Sequence, residues 1–360
     1  MSDTLLIMAA GTGGHIMPGL AIARTMQSKG WIVRWLGTRH GMENRLVPEA
    51  GITLDTVAFS GMRGKGLLHS AKGALQIVAA CWRSLKLMHQ VRPTVVLGMG
   101  GYVTVPGGLA ALFSGNKLVL VNADARLLLS NQVLAPFARA VLYGLPPARK
   151  LKRRELFTGA PIRSAIAAID PPEQRFAART GPLRILVVGG SLGAAVLNRV
   201  VPEALALLPV EARPIVTHQA GEAHLSQLEQ RYAGLGISAT TVSFIDDMAA
   251  LYAAVDVVIC RSGAITVNEL MSAGVASILV PLTVSTTSHQ LDNARYLADQ
   301  GAAKLMQQQD INAQSLAELV ASLDRAALLD MAQRARRLAP HDASDQVARV
   351  LTETAHGARP

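Results

Sequence analysis

Short, wholly apolar runs recur along the chain, each ending in glycine or a turn former and each followed by a longer stretch with helical spacing. The first, Leu5-Leu6-Ile7-Met8-Ala9-Ala10, runs into Gly11-Thr12-Gly13-Gly14-His15 and then into apolar positions at Ala21, Ala23 and Met26. That order reads as strand, glycine loop, helix. The same unit opens again at mid-chain: Arg184-Ile185-Leu186-Val187-Val188, then Gly189-Gly190-Ser191-Leu192-Gly193, then a helix carrying Val196, Leu197 and Val200. Further apolar runs at Trp31–Leu36, Val95–Leu97, Lys117–Leu120, Asp256–Ile259 and Ser277–Val280 alternate with helical segments. Strands apolar on both faces and separated by crossovers predict parallel sheets covered on both sides. The expected fold class is α/β, with two doubly wound Rossmann-like domains facing across a cleft and joined near Thr158-Gly159-Ala160-Pro161. A last helical segment, from about Ser344, can pack on either domain.

Composition fits two cores. A chain of 360 residues exceeds one ordinary core and suits two domains of roughly 150 to 180 residues. Half the residues are apolar and 17% charged, with no polar low-complexity tract, so disorder is set aside. Cys81 and Cys260 lie far apart among apolar neighbours, which predicts buried thiols in a reducing compartment rather than a disulfide. Leu5–Ala10 is too short for a signal peptide and ends in glycines, and no stretch reaches the ~20 uninterrupted apolar residues of a membrane span. A cytosolic chain is expected, with a membrane surface still open to it. Thirty-five Lys and Arg against 25 Asp and Glu give a net charge of +10 and favour an anionic partner. Aromatics at 4%, and the lack of a helix-turn-helix, finger or RNP pattern, argue against nucleic acid and leave membrane and phosphate.

Backbone amides bared by glycine at a helix N-terminus make a site for phosphate. Four segments offer one: Gly11–Gly14, Gly98–Gly101, Gly189–Gly193 and Ser262-Gly263-Ala264. Any single loop has an equally good steric explanation, because tight turns after parallel strands need glycine. Four together lie at the strand edge where open α/β sheets bind ligands. The nearest rival is a dinucleotide-binding oxidoreductase. Its fingerprint wants a third glycine where Ile16 stands and an acid where the second strand runs into Leu36-Gly37-Thr38-Arg39, and only Arg39 speaks for an NADP form.

Six segments carry a more specific pattern. They are Gly11-Thr12-Gly13-Gly14-His15-Ile16-Met17-Pro18-Gly19-Leu20-Ala21, Gly98-Met99-Gly100-Gly101-Tyr102-Val103, Thr158-Gly159-Ala160-Pro161-Ile162-Arg163, Val187-Val188-Gly189-Gly190-Ser191, Phe244-Ile245-Asp246-Asp247-Met248, and Cys260-Arg261-Ser262-Gly263-Ala264-Ile265-Thr266-Val267-Asn268-Glu269. In this order, over about residues 5 to 295, they resemble the signatures of the MurG family of glycosyltransferases. The resemblance implies the GT-B fold, with an acceptor and membrane-associating domain over 1–160, a UDP-sugar donor domain over 161–342 and a C-terminal helix over 343–360. It implies inverting transfer of N-acetylglucosamine from UDP-GlcNAc to the C4 hydroxyl of undecaprenyl-pyrophosphoryl-MurNAc-pentapeptide, converting lipid I to lipid II in peptidoglycan synthesis. The enzyme would be peripheral, on the anionic cytoplasmic face of the bacterial inner membrane, and would need no cofactor. Another GT-B UDP-sugar transferase, with a different lipid or small-molecule acceptor, is the alternative.

Carried over by motif, the resemblance puts Thr12, Gly13 and Gly14 near the transferred sugar and Arg163 and Ser191 near the donor pyrophosphate. Ile245 would meet uracil through its backbone. The turn Ala264, Ile265, Thr266, Val267, Asn268 and Glu269 would hold diphosphate and ribose, Gln290 the sugar, and Arg261 a further phosphate oxygen. Gly11, Gly13, Gly14, Gly100 and Gly101 would form loops for the acceptor pyrophosphate. Three segments depart from the family. Its His-Glu-Gln-Asn falls on Val121-Asn122-Ala123-Asp124, an alignment held by Ser130-Asn131 downstream. The family's acid therefore becomes Asn122, and its donor-binding Asn becomes Asp124, which can accept but not donate when ionised. Which of the two replaces the acid is open. Leu192 replaces a Gln, and Thr287-Ser288 replace an Asp pair before His289-Gln290.

His15 has the type and place of a general base: a helix N-terminus disfavours the cationic imidazolium and so keeps an imidazole able to accept a proton. It is equally a polar residue that orders the loop; the resemblance favours the base. No Asp-x-Asp motif stands at a strand end, Asp246-Asp247 read as turn or capping residues, and no metal is expected. Thr266–Glu269 also fits a capping box, Gln290 a plain helix-start residue, and Tyr102 a packing residue. Between Leu67 and Met88, the apolar Leu75, Ile77, Val78 and Trp82 interleave with Lys72, Arg83 and Lys86. That is either a patch that dips into an anionic bilayer or a core helix with a solvated basic edge.

Overall fold

The structure, a computed structural model, describes residues 2–11, 13–58, 67–190, 193–282, 289–340 and 342–357, with backbone alone over 67–75. The chain divides into two units, Met1–Arg163 with Pro340–Pro360, and Ser164–Ala339.

The first unit holds strands β1 (Thr4–Met8), β2 (Ile32–Thr38), β3 (Thr53–Val57), β4 (Val95–Gly98), β5 (Leu118–Asn122), β6 (Ala140–Tyr143) and β7 (Glu155–Phe157). They form one parallel sheet in the order β3-β2-β1-β4-β5-β6-β7. The central strands are sealed on both faces, which is why they read as unbroken apolar runs: Leu5, Leu6, Ile7 and Met8 are all 0% exposed. The strand order reverses between β1 and β4, whose register pairs Met8 with Gly98. Two glycine loops therefore leave the sheet side by side.

The second unit repeats the plan with β8 (Arg184–Val188), β9 (Ile215–Gln219), β10 (Thr240–Val242), β11 (Val257–Cys260), β12 (Ala276–Leu279) and β13 (Lys304–Leu305), parallel in the order β10-β9-β8-β11-β12-β13. Its reversal falls between β8 and β11, where Val188 pairs with Cys260. At the opposite edge the buried Asp256 carboxylate takes Arg179 at 2.9 Å, Arg325 at 3.4 Å and the Arg184 amide at 2.8 Å, which ties the starts of β8 and β11 together.

The C-terminal helix Ala343–Ala355 packs on the first unit, against the helix Gly13–Ser28. Val347, Ala348 and Leu351 are wholly buried there, and Lys117 Nζ donates to the Ala355 carbonyl at 2.7 Å. The outgoing and returning stretches meet at Gly159, where a methyl group would stand 3.0 Å from Pro340. Cys260 is fully buried, and burial, with the charge of Glu269 second, pushes its thiol up to about 12. Cys81 is half-buried, not buried as expected. It lies on a helix whose outer side is open.

Candidate active site

In the first unit, β1 and β4 each pass through a glycine loop into a helix, Gly13–Ser28 and Thr104–Phe113. Ligands of open α/β sheets bind at such a reversal of strand order. His15 is the third residue of its helix, and its ring lies against the second loop: a methyl on Gly100 would stand 3.0 Å from Cε1 and 3.1 Å from Nδ1. Gly101 approaches the first loop as closely, its missing Cβ 2.7 Å from the Ala10 carbonyl oxygen. Both glycines have positive φ, +96° and +83°, so any other residue is strained as well as crowded. The Thr104 hydroxyl, wholly buried, donates to the Gly100 carbonyl at 2.7 Å and fixes the second loop. Trp35 does the same for the end of β1, its indole N–H donating to the Ala9 carbonyl at 2.9 Å.

Gly13 and Gly14 occupy the first helical turn, whose amides have no intrahelical acceptor. Gly11 differs from the expectation. Its amide donates at 3.2 Å to the carboxylate of Glu43 and so faces a protein anion rather than a phosphate. Thr12 lies outside the described residues. Tyr102, expected in packing, is 40% exposed just beyond the second loop.

One strand over, β5 ends in Asn122. Its side chain donates to the carbonyls of Asp124 at 2.7 Å and Arg126 at 3.0 Å and accepts from the Leu128 amide at 3.0 Å and Asn131 Nδ2 at 3.1 Å. Two donors and two acceptors exhaust a carboxamide, and Asn122 is 0% exposed. It shapes the turn after β5 and has nothing left for proton transfer. Asp124 is 7% exposed at the same strand end.

In the second unit the corresponding reversal brings Gly189-Gly190 beside Arg261-Ser262-Gly263. Ser191 and Leu192 lie outside the described residues, as do Thr287 and Ser288. The helix Ala264–Ala273 starts from Gly263, which has no side chain to cap it, so its first-turn amides are open to an anion. That start displaces the expected capping box: Thr266 and Glu269 sit inside the helix. Ile265 and Thr266 are half-buried in the first turn, while Ala264 and Val267 are buried. Asn268 spends its amide on the Ala264 carbonyl at 2.8 Å, and Glu269, 7% exposed, accepts from the Tyr252 hydroxyl at 3.4 Å. Arg261 donates to the Val280 carbonyl at 3.0 Å, and burial presses its pKa below the usual guanidinium value. Gln290 joins the ends of β11 and β12: its Oε1 accepts from the Leu282 amide at 2.9 Å, and its carbonyl accepts from Ser262 Oγ at 2.8 Å. Ile245 is buried beside the exposed Phe244, and Asp247 caps the next helix by accepting from the Ala250 amide at 2.9 Å. Arg163, half-buried, ends the first stretch of the first unit, where the chain crosses to the second.

Sequence reasoning missed the side chains that hold these loops from neighbouring strands. Gln219, at the end of β9 and 3% exposed, accepts from the Gly189 amide at 3.2 Å and donates to the carbonyls of Gly190 at 3.1 Å and Ser243 at 3.0 Å. Asn293 donates to the Ser262 carbonyl at 3.1 Å. The available signal was a polar residue ending an apolar strand or opening a helix next to a glycine loop. Among the described residues no group of three His, Cys, Asp or Glu side chains is placed to hold a metal.

The helix Leu67–Val91 carries Val78 and Trp82, each 66% exposed and one turn apart, with Arg83 and Lys86 also exposed and Ile77 half-buried. Ala80, Ser84 and Met88 face inward. The side chains of Lys72 and Leu75 lie outside the described residues. The helix packs against Thr104–Phe113, whose Phe113 is 81% exposed. No described helix is long and apolar enough to cross a membrane.

Comparison with known proteins places the chain in a family. The glycosyltransferase family 28 N-terminal domain matches residues 5–143, and the family 28 C-terminal domain matches residues 184–348. The UDP-N-acetylglucosamine--N-acetylmuramyl-(pentapeptide) pyrophosphoryl-undecaprenol N-acetylglucosamine transferase of Herminiimonas arsenicoxydans is 54% identical over 348 residues, 96% of this chain and 97% of that protein. The enzyme of the same name from Chromobacterium violaceum is 54% identical over 354 residues, 98% of each. Among solved structures, Acinetobacter baumannii MurG superposes with a TM-score of 0.84 at 34% identity, covering 98% of this chain and 99% of that one. The calicheamicin glycosyltransferase CalG4, at 16% identity and a TM-score of 0.66, shares the fold alone. The chain has the GT-B fold and belongs to the MurG family of glycosyltransferases, within glycosyltransferase family 28.

Proposed function

We propose that this chain transfers N-acetylglucosamine from UDP-GlcNAc to the C4 hydroxyl of undecaprenyl-pyrophosphoryl-MurNAc-pentapeptide, turning lipid I into lipid II. The observation that carries this is identity of 54% along nearly the whole of relatives with that activity in their name. The structure supports it with glycine loops paired at both strand-order reversals and His15 seated between the first two.

The chemistry is read from the family resemblance together with those placements. His15 takes the proton from the C4 hydroxyl as its oxygen attacks the anomeric carbon of the donor sugar. The bond from that carbon to the UDP β-phosphate oxygen breaks, and the electron pair leaves with the diphosphate. Attack opposite the leaving group inverts the centre, so an α-linked donor gives a β-linked product. The developing charge on UDP is met by the open amides at the start of Ala264–Ala273, with Arg261 and Arg163 as cations. Glu269 takes the ribose, the Ile245 backbone the uracil, and Gln290, Gly13, Gly14 and Asp124 the sugar. Because Gly11 is committed to Glu43, the acceptor pyrophosphate is met by Gly100 and Gly101 together with Gly13 and Gly14.

The same unit would work at the cytoplasmic face of the inner membrane, peripherally. Val78, Trp82 and Phe113 supply an exposed apolar surface, and Arg83 and Lys86 attraction for anionic lipid. Transfer of labelled N-acetylglucosamine to a soluble analogue of lipid I tests the activity. Turnover with that analogue and none with diacylglycerol or small aglycones is expected. Turnover confined to the other acceptors would move the chain to a different substrate.

A further inference from the structure

Glu43 is a carboxylate with no place in the chemistry above, yet the first glycine loop is built around it. Its side chain is 0% exposed. Oε2 accepts from the Gly11 amide at 3.2 Å, while Oε1 accepts from the Thr38 amide at 3.0 Å and the Thr38 hydroxyl at 2.7 Å. Three neutral donors therefore hold a group whose burial is costly unless it is hydrogen-bonded. Two further residues give up a side chain to make room. A methyl on Gly37 would stand 2.8 Å from Glu43 Cγ, and one on Gly41 would overlap Oε2.

The bond to Gly11 reaches back 32 residues, from the first residue of the helix Glu43–Glu49 after β2 to the loop after β1. Gly11 sits at φ +102°, a conformation that only glycine holds cheaply, four residues before His15. On the other side the loop is bounded by Gly101 against the Ala10 carbonyl and by Gly100 against the imidazole. The loop is thus gripped from β2 on one side and from β4 on the other. A catalytic group has to be held this way, because misplacement by about 1 Å costs on the order of 100-fold in rate.

We infer that Glu43 is a positioning residue for the transfer reaction: its carboxylate fixes Gly11 and thereby sets where His15 presents its imidazole. This rests on the reading of His15 as the base. Substituting Glu43→Gln keeps the volume but turns an amide N–H toward one of the three donors. Substituting Gly41→Ala leaves the carboxylate in the chain and drives it off Gly11.

The test pairs kinetics with a direct view of the ring. With ¹³Cε1-histidine labelling, the His15 signal is assigned by its loss in His15→Ala and followed in both variants. Both are expected to move that signal, with the His218 signal in the second unit unchanged, and to lower kcat roughly 10- to 100-fold while KM for UDP-GlcNAc stays within about twofold. If Glu43→Gln does not fold, Gly41→Ala decides alone. An unmoved His15 signal overturns the inference, and so does native kcat in a folded variant. A native chain without transferase activity, with the signal moved as expected, would sink the assignment of His15 as base and leave the loop contact standing.

Discussion

Asn122 shows how a single position resolves once its partners are known. The family resemblance puts an acid there, and the sequence left Asn122 and Asp124 as rival replacements. The structure closes all four of its hydrogen-bonding sites within a turn of ten residues. Truncation strands a buried amide N–H and two carbonyls, so Asn122→Ala should lower stability by about 1–3 kcal/mol in urea unfolding. The pH profile of kcat should keep its shape; a lost or displaced limb would mean that Asn122 takes part in proton transfer after all. That His15 and the Ala264–Glu269 segment lie on helices entered from strand-end glycine loops was legible, because motif and strand end coincide. Glu43 and Gln219 were not, because what they do depends on contacts 32 and 30 residues away and nothing local marks them.

Among the elements, the central strands were readable because burial on both faces removes polar residues from them. The edge strands β3, β7, β10 and β13 are shorter or partly exposed and carry no such signal. At the helix that starts with Ala264, Thr266–Glu269 imitates a cap, whereas Gly263 leaves the start bare. In the second unit the helices over β8 and β9 rest on a buried polar cluster. His218, 0% exposed, meets the Tyr232 hydroxyl at 2.9 Å and Asn198 Oδ1 at 3.1 Å. Burial pushes its pKa down from 6.5 to about 3. The unfolded chain takes up a proton that the folded unit refuses, so this contribution is whole above pH 6.5 and is lost as pH falls from there toward 3. The slope is at most about 1.4 kcal/mol per pH unit. Urea titrations at pH 7 and pH 5 should show a larger loss for the native chain than for His218→Gln, and equal losses would contradict the assignment.

At the level of the whole molecule, the chain runs through both units and comes back, its last helix completing the core of the first. The repeat of strand, loop and helix, the junction near Thr158–Pro161 and a last helix from about Ser344 are legible in the sequence; the core that this helix covers is not, because an amphipathic helix does not say where it packs. The outward side of Leu67–Val91 gives that unit a second surface. Trp82→Ala should weaken sedimentation with vesicles containing phosphatidylglycerol, and high salt should weaken it further through Arg83 and Lys86. Binding that ignores both would place the membrane contact elsewhere.

His15, beside the second glycine loop, is proposed as the base of an N-acetylglucosamine transfer. The measurement that tests it most directly is transfer from UDP-GlcNAc to a soluble lipid I analogue by the native chain and by His15→Ala, with UDP binding measured on both. Turnover by the native chain and a loss of ~100-fold or more in the variant at unchanged UDP affinity are expected. Near-native turnover by His15→Ala would remove His15 as the base.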